Sequence, residues 1–138
     1  MSGLDPRAEL TRRIDAIESG YEFMLAYAAQ GRRSEKGAAA GRNVRDYLQG
    51  MAAALDGLGA IAAACAERID PDLARASADF FAAVDADARI ARAAVRLVLA
   101  RADVSSQLVD NLNASIHLRA LLTDLFIVDE ALKPPTPI

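Results

Sequence analysis

The residues best placed to do chemistry are Asn111, Ser115 and Arg119, which recur at intervals of four near the end of the chain. On a helix this spacing puts them on one side, within an arc that also carries Leu112 and Leu118. Polar groups among apolar ones are costly unless they are paired. Three interpretations stay open: a polar layer that fixes register or partner choice, a pocket in which Arg119 receives a carboxylate or phosphate, and an exposed edge where Arg119 reaches water.

A second candidate is a basic loop in the first third of the chain, formed by Arg32, Arg33, Lys36, Arg42 and Arg45. Free N–H groups at the start of the following helix would add to an anion site there. Glu35 and Asp46 dilute the positive charge of this loop. A solvated loop is therefore the favoured interpretation, ahead of an anion site or an RNA-binding surface.

The sequence gives little support for a metal site or for a catalytic nucleophile. His117 is the single histidine, and no glutamate stands three residues before it, as the Glu-x-x-His pairs of diiron bundles require. Cys65 is the single cysteine and lies on an apolar helical stripe, which predicts a buried and inert thiol. No phosphate-binding glycine loop and no nucleophile elbow is present. We expect no metal, no cofactor and no catalytic residue.

The composition of the chain disfavours some classes of function. Its 138 residues are 53% hydrophobic and 25% charged, which is typical of a folded globular domain. The net charge of −3 disfavours a protein whose main role is to bind nucleic acid. Neither a signal-peptide pattern nor an apolar run of about 18 residues occurs, so we expect a cytoplasmic protein without a membrane segment.

Four long helices would position these residues, and no strand pattern lies between them. Asp5-Pro6, Asn43 and Asp70-Pro71 are each typical of a helix start, and Asp103 is the predicted break before the last helix. The predicted helices span about 6–30, 44–69, 71–101 and 104–133. Their similar lengths and short connections predict an all-α protein, an antiparallel four-helix bundle with up-down-up-down topology. It would form one domain over residues 1–133, followed by an extended, Pro-rich tail over 134–138.

The second predicted helix has the most regular pattern of the four. Its apolar residues alternate at spacings of four and three, which is a heptad seam made of Val44, Leu48, Met51, Leu55, Leu58, Ala62, Cys65 and Ile69. Beside this seam lie the small residues Gly50, Ala54 and Gly57. These either admit the close approach of a neighbouring backbone or are merely tolerated.

The first predicted helix has more apolar surface than one core needs. One side of this helix suffices to face the second helix. The residues left over on the other side, Gly20, Phe23 and Tyr27, are the predicted interaction surface. The last helix adds a densely apolar run over residues 121–128. Excess apolar surface of this kind predicts a homodimer.

Two functions follow from these observations. The favoured one is a non-catalytic interaction or regulatory protein that self-associates and docks on an unidentified protein partner through an aromatic-centred helical surface. The alternative is a small helical ligand-binding protein or enzyme that acts on an anionic metabolite, with Asn111, Ser115 and Arg119 as its anchors.

Overall fold

The computed structural model describes residues 5–37 and 43–133, and the chain is all-α over these ranges. The helices are α1 (Pro6–Ala29), α2 (Val44–Leu55), α3 (Leu58–Ile69), α4 (Pro71–Leu99), α5 (Ser106–Asn113) and α6 (Ile116–Ala131). The prediction of an all-α protein is confirmed. The prediction of four continuous helices was wrong, because the second and the fourth are each interrupted once. Arg42 of the predicted basic loop and the predicted tail 134–138 lie outside the described residues.

Four helices begin where the sequence supplies a capping side chain. Asp5 caps α1, and Asn43 forms a capping box with Asp46 at the start of α2. Asp70 and Ser105 cap α4 and α5 in the same way. Each side-chain oxygen accepts a hydrogen bond from a backbone N–H that has no partner inside the helix, which stabilises the helix by about 1 kcal/mol. Because these signals are local, the predicted starts at 6, 44 and 71 agree with the structure.

The interruption between α2 and α3 is a bend of 51°. Gly57 stands at the bend with a φ of 69°, a left-handed conformation that glycine adopts more readily than other residues. Backbone groups freed by the bend find partners on other helices. Arg13 of α1 donates to the carbonyl of Asp56, and Asp85 of α4 accepts from the N–H of Gly59 at 2.6 Å. Side chains distant in sequence therefore hold the bend.

Helices α3 and α4 pack most closely at Gly59. A Cβ atom at this position would overlap the carbonyl oxygen of Phe81 and would lie 2.5 Å from Cγ of Asp85. A side chain therefore cannot enter without moving α3 away from α4. The sequence suggested a close approach at Gly50, Ala54 and Gly57, but the structure has it at Gly59, which was not among them. Gly57 forms the bend and, its chain neighbours aside, has no atom of the described residues within 4 Å of an added Cβ.

The fourth predicted helix is interrupted at Ala114, between α5 and α6. Ser115 precedes α6 but its side chain makes no capping hydrogen bond. The predicted break at Asp103 is confirmed, since α4 ends at Leu99 and α5 begins only at Ser106.

One cluster of buried apolar side chains draws on all six helices of the described ranges. The predicted heptad seam is buried from Val44 to Cys65 on both sides of the bend, and Ile69 at its end is exposed. Cys65 is buried, as predicted, and burial raises the pKa of its thiol. No single helix of the described ranges has the length and hydropathy of a membrane span, which α2 and α3 reach only when they are taken together.

Candidate functional site

A groove on the surface separates α1 from α6. Near the start of α1, Arg7 pairs with Asp129 near the end of α6 (N···O 2.9 Å), so the two helices run in opposite directions along the groove. The groove has a volume of about 300 Å³. We call it the α1–α6 groove, and its lining consists of Glu18, Tyr21 and Glu22 from α1 and of Arg119, Leu122, Thr123 and Phe126 from α6.

The two flanks of the α1–α6 groove carry opposite charges. Glu18 and Glu22 stand on the α1 flank and Arg119 on the α6 flank. Burial and the nearby carboxylates of Asp15, Asp129 and Glu22 raise the pKa of Glu18. Within the part of the chain that the structure describes, Arg119 pairs with neither glutamate, and all three charges stay available to a second molecule.

The outer side of α6 is apolar beside this groove. Ile116 is 74% exposed, Phe126 is 62% exposed and Ile127 is 53% exposed. The three residues fall within an arc of roughly 100° on the helix, and we call them the α6 face. Single exposed apolar residues are ordinary on protein surfaces, but a cluster on one helix is typical of a contact surface. The apolar run predicted over 121–128 therefore divides between the core and this face.

The predicted interaction surface of Gly20, Phe23 and Tyr27 was wrong, because these residues pack inside the chain. Tyr27 is only 4% exposed, and its hydroxyl donates to the carbonyl of Val104 at 2.6 Å. Phe23 is half-buried between the rings of Tyr27 and Tyr47, with centroid separations of 6.3 and 4.1 Å. Gly20 is buried as well. The aromatic side of α1 thus completes the core of the chain itself.

Replacing Tyr27 with phenylalanine tests this assignment to the core. The substitution leaves the buried carbonyl of Val104 without its donor, so we expect the free energy of unfolding to fall by about 1–2 kcal/mol. Chemical denaturation followed by circular dichroism measures the change. Tyr21→Phe is the matched control, since the hydroxyl of Tyr21 forms no hydrogen bond within the described ranges. Equal losses in the two variants would contradict the prediction.

Arg45 of the predicted basic loop is engaged in intramolecular contacts. It forms a bidentate ion pair with Glu35 (N···O 2.7 and 2.8 Å), which raises the pKa of the guanidinium. The same guanidinium donates to the carbonyls of Leu99 and Arg101, where α4 ends. Arg45 therefore fastens the linker after α1 to the end of α4.

Arg32 belongs to a polar junction between the end of α1 and the start of α5. Its guanidinium donates to the carbonyls of Ser34 and Lys36 in the linker. Its backbone N–H donates to the hydroxyl of Ser106 at 2.8 Å, and that hydroxyl donates to the carbonyl of Tyr27 at 2.6 Å. The N–H of Ser106 completes the junction by donating to the carbonyl of Arg32. We call this set of hydrogen bonds the α1–α5 junction.

The remaining described members of the basic loop, Arg33 and Lys36, are exposed. A polar cavity of about 510 Å³ adjoins Arg33, and Asp110 also lines it, so the lining does not carry one sign of charge. The predicted solvated loop thus describes Arg33 and Lys36, whereas Arg32 and Arg45 are engaged in contacts within the chain.

Asn111, Ser115 and Arg119 do not come together in one enclosed site. The interruption at Ala114 divides them between two helices, and the carboxamide of Asn111 accepts from the side chain of Gln107 at 3.1 Å. Arg119 is exposed and lies in the lining of the α1–α6 groove. Of the three interpretations, the exposed edge describes Arg119 best.

A pair of carboxyl groups joins α4 to α6 and was not predicted. Burial and the adjacent Asp87 raise the pKa of Asp124 to about 7. Oδ2 of Asp124 is enclosed and meets no donor within residues 5–37 and 43–133. Two carboxyl groups can share a hydrogen bond only while one of them is protonated, which accounts for the direction of the shift in pKa. The pairing depends on the relative position of two helices, so no local sequence signal indicates it.

Among the described residues no three potential metal ligands of the His, Cys, Asp or Glu type gather in one place. His117 is exposed, in agreement with the predicted solvated histidine.

No protein-family model, no characterised protein and no solved structure matches this chain. The class of the protein is therefore defined by the fold and the site alone. It is an all-α protein with a groove of opposite flanking charges beside an exposed apolar helix face.

Proposed function

We propose that this chain is a non-catalytic interaction protein that self-associates and docks on a protein partner through an aromatic-centred helical surface. The observation that carries the proposal is the exposed α6 face beside the α1–α6 groove. Removing apolar area from water stabilises a complex by roughly 25 cal/mol per Å². Large apolar side chains that are exposed to solvent in the single chain therefore favour association. Phe126 and Tyr21 supply the aromatic groups, in place of Phe23 and Tyr27.

The antiparallel four-helix arrangement belongs to the same proposal. The α2–α3 segment and the α5–α6 segment would each count as one bent helix, packed with α1 and α4 in alternating directions. The opposite directions of α1 and α6 support this arrangement. The single domain, the homodimer and the cytoplasmic location stay predictions.

The alternative, a protein that acts on an anionic metabolite, is less well supported. Arg119 lines the α1–α6 groove together with Glu18 and Glu22, so two carboxylates face any anion that would bind one guanidinium. Like charges in one small site disfavour such a ligand.

Replacing Phe126 with alanine tests the proposed function. We expect self-association to weaken at least about tenfold, because a central aromatic residue contributes much of the energy of an interface. Phe126 is largely exposed in the single chain, so the melting temperature and the helicity should stay near those of the wild type. Sedimentation equilibrium at micromolar concentrations measures the association, and circular dichroism measures the fold.

Leu97→Ala is the matched control, since Leu97 is 68% exposed on α4 and lies outside both the groove and the α6 face. This variant should associate like the wild type. A wild-type chain that stays monomeric throughout, or a Phe126→Ala variant that associates as strongly as the wild type, would contradict the proposal.

A further inference from the structure

We infer that the occupant of the α1–α6 groove is the same groove of a second copy of this chain, related by a two-fold axis. The inference rests on the proposed function, because it names the partner of the surface that the proposed function uses. Beyond the proposed function, it specifies how the two copies are oriented and which ionic contacts join them.

The charges of the groove carry the inference. In a two-fold interface the same patch lies on both subunits, so each contact between unlike residues occurs twice. Arg119 on the α6 flank of one copy then faces Glu18 and Glu22 on the α1 flank of the other, and the reverse contact forms as well. The groove is thus complementary in charge to itself, and the described residues offer Arg119 no other ionic partner.

The positions of the two helices fit such an arrangement. A two-fold axis parallel to α1 and α6 leaves the position of every residue along the groove unchanged. It exchanges the two flanks of the groove. It therefore places α1 of one copy over α6 of the other. Since Glu18, Glu22 and Arg119 line the same stretch of groove, they meet at the same height after this operation.

The apolar residues of the groove are covered by the same operation. Phe126 of one copy comes to lie over the flank that carries Tyr21 of the other, and Ile127 lies next to it on the α6 face. A membrane surface would cover the α6 face too. The two acidic residues beside it would face lipid head groups that are often negatively charged, which disfavours that occupant.

A charge exchange between two variants tests the inference. One variant carries Arg119→Glu, and the other carries Glu18→Arg and Glu22→Arg. Each variant alone places like charges across both contacts, so we expect its self-association to weaken at least about tenfold relative to the wild type. In an equimolar mixture both contacts are attractive again, and we expect a heterodimer with an affinity within about threefold of the wild type.

Sedimentation velocity of each variant and of the mixture, with one variant fluorescently labelled, measures the restored association. Arg96→Glu, an exposed change of the same kind on α4, is the control and should associate like the wild type. Binding of the wild type to anionic vesicles without self-association would overturn the inference, as would a mixture that stays monomeric. If Phe126→Ala weakens association while the charge variants do not, the two-fold pairing fails and the proposed function stands.

Discussion

Replacing Gly59 with alanine is expected to lower the free energy of unfolding by about 3 kcal/mol, through overpacking between α3 and α4. The new Cβ atom would overlap the carbonyl oxygen of Phe81 and would lie 2.7 Å from Oδ1 of Asp85. A helix backbone cannot rotate away as a side chain can, so α3 must shift. The shift also weakens the hydrogen bond from the Gly59 N–H to Asp85, which completes the start of α3. Alanine's higher helix propensity, about 1 kcal/mol, offsets only part of this loss.

Thermal denaturation measures the effect of Gly59→Ala, and for a chain of this size we expect a fall in melting temperature of about 10 °C. Gly20→Ala is the matched control, because Gly20 is also a buried helical glycine. Its added Cβ would meet the terminal methyl group of Met51 at 2.7 Å, and that group can rotate aside. The control should stay within about 1 kcal/mol of the wild type. A Gly59→Ala variant as stable as the wild type would show that α3 and α4 do not pack this closely.

The second large effect is a pH dependence of stability that Asp124 confers. Its pKa is about 7 in the folded chain, against an ordinary value of 3.8. The folded state therefore binds the proton more tightly than the unfolded state does. The stabilisation is complete below about pH 3.8, and it is lost as the pH rises through about 7. Above that value Asp124 is ionised, and its charge is repelled by Asp87 across α4 and α6.

Replacing Asp124 with asparagine should remove this dependence, because an amide mimics the protonated acid and does not ionise. Near pH 4 the variant and the wild type should be similarly stable. Near pH 8 the variant should be the more stable by about 1–2 kcal/mol, a value below the full effect of the shift in pKa because water reaches the pair and screens it. Asp87→Asn should act in the same direction, since it removes the second charge.

Urea denaturation at intervals between pH 4 and pH 8 measures the difference in the free energy of unfolding. Asp79→Asn on the exposed side of α4 is the control, and its curve should run parallel to that of the wild type. Parallel curves for Asp124→Asn and the wild type over this range would mean that the two carboxyl groups do not share a proton.

The helix starts could be predicted from the sequence because their signals are local. Asp5, Asn43 and Asp70 each supply a capping oxygen a few residues from the N–H group that they bind, and no distant residue is needed. The bend after α2 is different. The heptad seam continues through it, so periodicity alone predicts one long helix. The dipeptide Asp56-Gly57 was the available local signal for a turn, whereas the partners that hold the bend come from α1 and α4.

The candidate site could be predicted only in part. Phe126 and Ile127 belong to the apolar run that the sequence singled out, and they are exposed as an interaction surface requires. Tyr27 was assigned to the surface because a helical wheel shows which residues share a side and does not show how many neighbours cover the helix. The partner of Tyr27 is Val104, from a segment that becomes its neighbour only after folding. Glu18 and Glu22 likewise look like ordinary solvated residues until α6 is placed beside them.

The α1–α5 junction described above also constrains the order in which the chain can fold. Its hydrogen bond from the Ser106 hydroxyl to the carbonyl of Tyr27 joins residues 79 positions apart, and the adjacent bond from the Tyr27 hydroxyl to the carbonyl of Val104 joins residues 77 apart. Closing a loop of that length costs roughly 4 kcal/mol of chain entropy beyond a constant contribution, so the junction forms only when the intervening helices already hold its ends near each other. During synthesis α1 therefore cannot reach its final environment until α5 has been made. Until then Tyr27 lacks its partner at Val104 and stays open to solvent and to any other chain nearby.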